Sequence, residues 1–476
     1  MTKPQDSPRF DVAVIGAGVV GCAIARALSH YQLDVALVEA SDDVGTGTSK
    51  ANSAILHTGF DAPVGSLEAS LVRRGHSLLV EYARQVGIPL VKTGAVLIAW
   101  TGDDTVSLDR IKSVGEENGY DAISALTAEQ VYALEPHLGP GVVAGLHIPD
   151  ESIICPFTTP LAMATEAIAN GVTLLLNSPV RGAVRGENGP WTLETRDAEV
   201  NTDWVINAAG LHGDSLAEIL GDSPFQVAPR RGQFVVFDKV GANLVSRIIL
   251  GVPSPRSKGV LLAPTVFGNL LLGPTAEDVA AKDATETTGD GLGDLLRQGE
   301  AIVPALAGLE VTSTYSGLRA VSSKGGYDIE VDAERRSGRA SGIRSTGLSA
   351  SLAIAEHMLE ELADAGFQLK PREDRQQVSM AYIGEELLRP HRDEAAIADN
   401  PDAGRVVCFC ELTTLAELEA AAASPIPPAT VDGIRRRTRA TGGRCQGFYC
   451  RAQVTTWLAS KSGKTMAELL GTVAGR

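Results

Sequence analysis

Positive charge is in short supply in this sequence. Against 58 Asp+Glu there are 42 Lys+Arg, a formal net charge of −16 over 476 residues. So acidic a chain lacks the basic surface that displaces phosphate counterions, which excludes general nucleic-acid binding. Long apolar runs are also missing: none reaches the ~18 residues that a membrane-spanning helix needs. The N-terminal ten residues are polar and the first apolar segment is interrupted by glycine. Neither a signal peptide nor an anchor is expected, and a cytoplasmic location is the default. Cysteine is scarce, with six residues in the whole chain, too few for a disulfide scaffold. Four of the six lie between 408 and 450, and such crowding points to a metal. There is no repeat of fixed period and no low-complexity tract. What is present is ordinary globular material: 44% of residues are apolar, and the length suits about three domains. The 50 glycines point to many tight turns and close backbone approaches.

Residues 10–39 predict a strand–turn–helix–strand unit. A short apolar strand, Phe10–Ile15, runs into Gly16-Ala17-Gly18-Val19-Val20-Gly21, then a helix to Ser29, then a second apolar strand, Val35–Val38, ending at Glu39 and Ala40. The hexapeptide alone is a weak signal, but this context is that of a dinucleotide site. Gly16 permits the turn, Gly18 lets the backbone approach a pyrophosphate, and Gly21 allows close helix–strand packing. The helix N-terminus offers free N–H groups to phosphate, and Glu39 can accept from ribose hydroxyls. Cys22, inside the helix, reads as a small buried apolar residue. The other glycine-rich stretch, Gly289–Gly293, has the wrong spacing and no preceding strand. With one nucleotide unit, a second dinucleotide such as NAD has no domain of its own.

Further along, a Gly/Ser/Thr-rich loop at 45–60 precedes a helix over Leu67–Val86. Helix Phe157–Asn170 precedes strand Thr173–Leu176, and Trp204–Asn207 reads as a buried strand. Short strands with turn signals at 225–330 predict an antiparallel sheet. Helical spacing returns at Ser349–Ala365. Residues 367–404 are charged, contain prolines 371, 390 and 401, and read as a linker. Beyond them, Cys408-Phe-Cys410 and Cys445-Gln-Gly-Phe-Tyr-Cys450 form C-x-C and C-x4-C pairs with 34 residues between them. Four thiolates suit either a [2Fe–2S] cluster or tetrahedral zinc. Arg435, Arg436, Arg437, Arg439 and Arg444 stand just upstream of the second pair, where they would offset the charge of an anionic cluster; a solvated or docking face is the alternative. Cys155 lies far off in sequence and reads as a core residue.

Several segments, in order, carry a family likeness: DVAVIGAGVVGCAIARAL, GTSKANSAILHTGF, WVINAAGLHGD, PRRGQF, LLAPTVFGNLLLGPTAED, the YSGLR segment at 315–319 and GIRSTGLSASLAIAE. They span residues 10–356, and the chain resembles the D-amino-acid-oxidase-like FAD superfamily, in particular its glycerol-3-phosphate dehydrogenase branch with a C-terminal iron–sulfur domain. The cysteine segment resembles the bacterioferritin-associated-ferredoxin-like [2Fe–2S] module, departing from it in having C-x4-C as its second pair. The resemblance implies an α/β FAD-binding Rossmann-type domain (1–85, 150–215 and 325–366), an interleaved α+β substrate domain built on an antiparallel sheet (86–149 and 216–324), and a small iron–sulfur domain (405–476). It places Gly45, Thr48 and Ser49 at the FAD pyrophosphate, Asn52 and Ser53 toward the flavin, and the Val180 backbone at the adenine. Ala208, Ala209 and Gly210 would pack along the nucleotide. Ser345, Thr346, Gly347 and Leu348 would form a helix N-terminus facing the flavin's pyrimidine edge, where reduced flavin gathers negative charge.

His57, at the end of the loop passing the flavin, suits removal of a hydroxyl proton as hydride leaves a carbinol carbon. A flavin-packing role, or covalent flavin attachment as in some relatives, is the alternative. The resemblance gives Arg319 the anionic end of the substrate, for which a guanidinium fork is suited; Ala320 stands where relatives often have proline. Arg256 and Lys258 could add positive charge near a phosphate. Arg230 and Arg231 could reach the pocket, and Gly232 and Gln233 would shape the strand beside the flavin. The implied activity is FAD-dependent oxidation of a small anionic alcohol, foremost sn-glycerol 3-phosphate, with electrons leaving through the [2Fe–2S] cluster to a partner protein or quinone. The resemblance allows attachment to a membrane through partner subunits. A 2-hydroxy-acid dehydrogenase of the L-2-hydroxyglutarate kind, or an amine or amino-acid oxidase with a structural metal module, are the other readings.

Overall fold

The computed structural model describes residues 9–186, 189–252 and 259–470. Strand β1 (Arg9–Ile15), helix α1 (Val19–Ser29) and strand β2 (Val35–Val38) form the predicted unit. Helix α2 (Leu67–Val86) keeps its sequence-predicted bounds, with Ser66 accepting from the Ala69 N–H at its start and left-handed Gly87 at its end. Helix α3 (Thr158–Ala169), strand β3 (Thr173–Leu175) and strand β4 (Glu199–Asn207) follow. Strands β5 (Val227–Phe237) and β6 (Val311–Ser322) pair along almost their whole length. Helix α4 (Gly347–Asp364) closes the main body, and helix α5 (Val431–Thr438) belongs to the cysteine-bearing C-terminal unit.

Two large sheets make the body. The first has a parallel centre in the order β3, β2, β1, β4 and Ser337–Ser341. Antiparallel strands Trp191–Glu194 and Asp328–Asp332 extend it. The central strands are apolar almost throughout, as expected for strands covered on both faces. Helices α1, α3 and α4 pack together. A Cβ at Gly21 would lie 1.8 Å from the Gly16 carbonyl oxygen, so only glycine lets α1 start this close to its turn. The second sheet has nine strands, mostly antiparallel, with Ile248–Gly251 parallel to Ala95–Ala99. Its core is separate and includes Val235, Phe237, Leu262, Leu270 and Leu272. Cys22 and Cys155 are fully buried, as expected of core residues.

The C-terminal unit carries a two-stranded ladder (Val406–Cys408 with Thr413–Thr414), four helices and its own core around Leu418, Ile434 and Val454. Residues 367–404 contain short helical turns rather than a featureless linker: Pro390–Arg392, Glu394–Asp399 and Pro401–Ala403. The buried Arg389 holds this segment to Glu417 at 2.6 Å. Among the described residues no helix is long and apolar enough to cross a membrane.

One buried polar knot ties three helices. Glu166 of α3 accepts from Arg26 of α1 at 2.7 Å and meets His30 at 3.0 Å, while the Arg26 guanidinium lies 4.2 Å above the Tyr82 ring of α2. Burial alone would raise the Glu166 pKa; His30, Arg26 and Tyr82 outweigh it and hold it at about 2. A carboxyl with a depressed folded-state pKa stabilises above its unfolded pKa and loses that contribution as pH falls through the folded value. Against the ordinary 4.5, this amounts to about 3 kcal/mol, lost between roughly pH 5 and pH 2. Glu166→Gln is therefore expected to unfold more readily than wild type in urea at pH 7, with the gap narrowing steadily toward pH 2.5. A gap that stayed constant with pH would show that the knot acts by packing alone.

Candidate functional site

A cavity of about 1370 Å³ runs from the Gly16–Gly21 turn, past the 46–57 loop, to strands β5 and β6 and the N-terminus of α4. Most of the residues singled out in the sequence line it: Gly16, Gly18, Glu39, Ala40, Thr48, Ser49, Asn52, Ser53, His57, Val180, Ala208, Ala209, Gly210, Arg319, Ser345, Gly347 and Leu348. Gly21 and Gly45 do not line it. Gly21 works through packing, and Gly45 is a left-handed corner whose N–H reaches Ala17 O at 2.8 Å. Thr346 also stands back, because its hydroxyl is bound to Glu68 Oε1 and Tyr327 Oη, both at 2.7 Å. Arg231 is buried against Glu277 and Glu286 and stays out of the cavity. Arg230 reaches the cavity wall but is spent on Asp278. Arg256 and Lys258 lie outside the described residues.

The nucleotide end suits a phosphate. Helix α1 has Gly18 as its N-cap, no side-chain cap from that residue and no acidic residue in its first turn, so its dipole and the N–H groups beyond Val19 remain available to an anion. Ser49 Oγ accepts from Val19 N at 2.9 Å and closes the loop over this terminus. Glu39 is fixed by two backbone donors, Ala17 N at 2.7 Å and Ser41 N at 2.8 Å. A carboxylate accepts about four hydrogen bonds, which leaves capacity for ribose hydroxyls. Asn52 spends its amide within the loop, donating to Ser49 O and accepting from Ala54 N. The loop is stitched to β6 by Thr48 Oγ1 on Leu318 O and by Tyr315 Oη on Asn52 O. A Cβ at Gly317 would fall 1.9 Å from Ala51 O, so glycine is needed for that contact. The N-terminus of α4 also lacks a side-chain cap and an acid in its first turn. This cradle fits a dinucleotide with a charged middle and a flat end.

At the far end two groups stand out. His57 Nδ1 lies 3.0 Å from Glu151 Oε2. Glu151 is fully buried, and its other oxygen accepts from the Thr58 N–H at 2.7 Å and the Thr58 hydroxyl at 2.9 Å. A carboxylate only accepts, so Nδ1 carries the proton and Nε2 is left as the basic nitrogen. Ser349 Oγ fixes the His57 backbone N–H at 2.8 Å. Glu151 was not singled out in the sequence: it sits 94 residues from His57, in the turn Asp150-Glu151-Ser152, with no local pattern to mark it. The second group is Arg319. Among the described residues its guanidinium has one hydrogen bond, to Thr275 O at 3.4 Å, and no acidic partner. Burial, with the charge of Arg230 added, weakens its hold on its proton. A half-buried cation without a counter-ion, in a cavity, is a site prepared for an anion.

The model of FAD dependent oxidoreductases (DAO) matches residues 11–361. The chain belongs to this family. It is 35% identical over 465 residues to a glycerol 3-phosphate dehydrogenase of Caloramator mitchellensis, covering 97% of this chain and 96% of the relative. Human mitochondrial L-2-hydroxyglutarate dehydrogenase is 28% identical over 58% of this chain and 62% of its own length. A dithionite-reduced L-α-glycerophosphate oxidase of Mycoplasma pneumoniae, solved with FAD bound, superposes with a TM-score of 0.75 at 29% identity, covering 79% of this chain and all of that one. This oxidoreductase therefore takes FAD, and the cavity has the cradle for it.

The four thiols of the C-terminal unit lie close enough to interact: Cys410 with Cys445 and Cys408, and Cys450 with Cys408 and Cys445. Burial and the adjacent Cys408 push Cys450 up to about 12. For Cys445, burial is outweighed by N–H groups of Tyr449, Gly447 and Phe448 and by Cys410, so its pKa falls. Leu412, Arg439, Thr441, Gln446 and Gly447, in the segments that carry these cysteines, all adopt left-handed backbone. Among the described residues no group of three or more His, Cys, Asp or Glu is arranged to hold a metal ion. The upstream arginines do not gather at the thiols as expected. Arg436 and Arg437 are buried against Asp43, Arg444 meets Asp238 at 2.9 Å, and Arg439 lies 4.0 Å over the Phe267 ring. Acids of the body, Asp43 and Asp238, take Arg436, Arg437 and Arg444, while Arg439 lies 3.5 Å from Glu411 of the C-terminal unit itself.

Proposed function

We propose that this oxidoreductase oxidises sn-glycerol 3-phosphate to dihydroxyacetone phosphate. The observation that carries the reading is the pairing, in one cavity, of an uncompensated arginine with a histidine whose tautomer is set by a buried carboxylate. Arg319 binds the substrate phosphate and so fixes the carbinol relative to the loop. His57 Nε2 takes the hydroxyl proton, and Glu151 holds the imidazolium that forms. FAD, when bound, supplies the two-electron acceptor for the hydride leaving the carbinol carbon. The 35% identity to a dehydrogenase of that name over nearly the whole chain supports this substrate.

The same proposal names Cys408, Cys410, Cys445 and Cys450 as the residues that would hold a [2Fe–2S] cluster, which would supply a one-electron acceptor between the flavin and a partner protein or quinone. Four thiols close to one another, with backbone N–H groups of Gly447, Phe448 and Tyr449 at Cys445 and of Thr441 at Cys450, support it. The test is a product assay under argon with an artificial acceptor, together with iron, zinc and acid-labile sulfide analysis of the same sample. Dihydroxyacetone phosphate with about two irons and two sulfides per chain is the expected result. Turnover of L-2-hydroxyglutarate instead would overturn the substrate. Zinc without sulfide would overturn the relay. Peroxide equal to substrate consumed under air would make the enzyme an oxidase.

A further inference from the structure

We infer that the C-terminal unit clamps the dinucleotide-binding loop and thereby retains FAD, and that Asp43 is the positioning residue through which it acts. The inference rests on FAD as the cofactor. The loop in question leaves β2 just after Glu39 and delivers Ser49 to the N-terminus of α1. Its far part is stitched to α1 and β6 through Ser49 and Thr48, but around Asp43 the bonds outside the C-terminal unit are few: Val44 N on Asp43 Oδ1 at 2.9 Å, Thr46 Oγ1 on Asp43 O at 3.4 Å, Gly45 N on Ala17 O and Asn177 N on Ser41 O, both at 2.8 Å. Asp43 does not face the cavity. It is 2% exposed and points into the C-terminal unit.

There it receives a fork and a third bond from a single helix, α5. Arg437 donates Nη2 to Oδ1 at 2.7 Å and Nη1 to Oδ2 at 2.6 Å, and Arg436 donates Nη2 to Oδ2 at 2.7 Å. Arg437 is itself fixed by the carbonyls of Ile426 and Gly433. Arg436 also pairs with Asp432, which lies 3.7 Å from Lys50. Helix α5 thus holds the loop at Asp43 and brings its exposed Asp432 to 3.7 Å from Lys50, on the far side of the positions expected to meet the pyrophosphate. A bidentate Arg–carboxylate pair fixes orientation as well as distance, and a buried carboxylate stripped of its arginines destabilises whatever holds it. The helix also supplies wall to the cavity. Arg435 lines it, and its guanidinium makes no hydrogen bond or ion pair among the described residues.

If one arrangement of the loop serves both the unit and the nucleotide, each must strengthen the other's binding by the same factor. FAD release from the holoprotein, followed by the rise of flavin fluorescence on dilution, reads this directly. Asp43→Asn and Arg437→Met are each expected to speed release by about tenfold or more. The double variant is expected to release no faster than the worse single one, because both remove one shared interaction. Release at the wild-type rate in either single variant would overturn the inference. Should Asp43→Asn fail to fold, Arg437→Lys, which keeps the charge and loses the fork, carries the same comparison. In wild type, loaded FAD is also expected to slow proteolysis within 366–404; equal cleavage with and without FAD would count against the clamp. A wild-type protein that never holds FAD would instead remove the cofactor reading, a distinct failure.

Discussion

Replacing His57 with glutamine is expected to lower kcat by about 10²–10⁴-fold, the usual worth of a positioned general base, while FAD content and the substrate KM stay near wild type. Glutamine is close in size and leaves the backbone N–H bond to Ser349 Oγ in place, so the loss isolates the proton transfer. Glu151→Gln is expected to lower kcat in the same direction by a share of that factor. An amide can donate to Nδ1 as well as accept from it, and a ring protonated at Nε2 cannot serve as base. Combining the two changes should cost little more than His57→Gln alone, because Glu151 acts through His57. Steady-state kinetics with an artificial acceptor settles this. Full kcat in His57→Gln would end the base assignment; full kcat in Glu151→Gln would reduce the buried carboxylate to a packing role.

Arg319→Met is expected to reduce kcat/KM roughly 100-fold, equivalent to about 3 kcal/mol, mostly through KM. The magnitude follows from losing a charge-assisted fork in a half-buried pocket with no second unpaired cation on β5 or β6: Arg230 and Arg231 are already matched by Asp278, Glu277 and Glu286. Arg319→Lys is expected to recover only part of the loss, since an ammonium binds phosphate as a point charge and cannot reproduce the planar fork. The variant should fold well, because the guanidinium makes one long hydrogen bond and no ion pair among the described residues. An unchanged KM would show that the anion is held elsewhere.

The dinucleotide unit was legible because its causes are local. Apolar four- to seven-residue strands, three glycines at fixed spacing and a terminal acid all lie within 31 residues (9–39), and the structure forms β1, α1 and β2 there. Helix α2 was legible for the same reason: Ser66 and Gly87 punctuate it. Glu151 and Asp43 were not legible, since each acquires its meaning from a partner 94 or 393–394 residues away. A sequence window shows a carboxylate beside apolar residues but not the ring or guanidinium that meets it. The arginine run at 435–444 misled for a related reason. Proximity in sequence to Cys445 suggested compensation of a cluster, whereas the fold offered Asp43 and Asp238 as nearer counter-charges. The third site residue to stand apart, Thr346, follows the same logic: its position before α4 was right, but its hydroxyl found Glu68 rather than the cavity.

The most direct test of the central claim is an anaerobic titration of the purified holoprotein with sn-glycerol 3-phosphate, following flavin absorbance and the low-temperature EPR signal together. Bleaching of the flavin with substrate alone is expected, accompanied by a [2Fe–2S] signal, with neither change in the His57→Gln variant on the same timescale. Flavin that stays oxidised with sn-glycerol 3-phosphate, yet is bleached by dithionite, would contradict the substrate while leaving the flavoprotein fold intact.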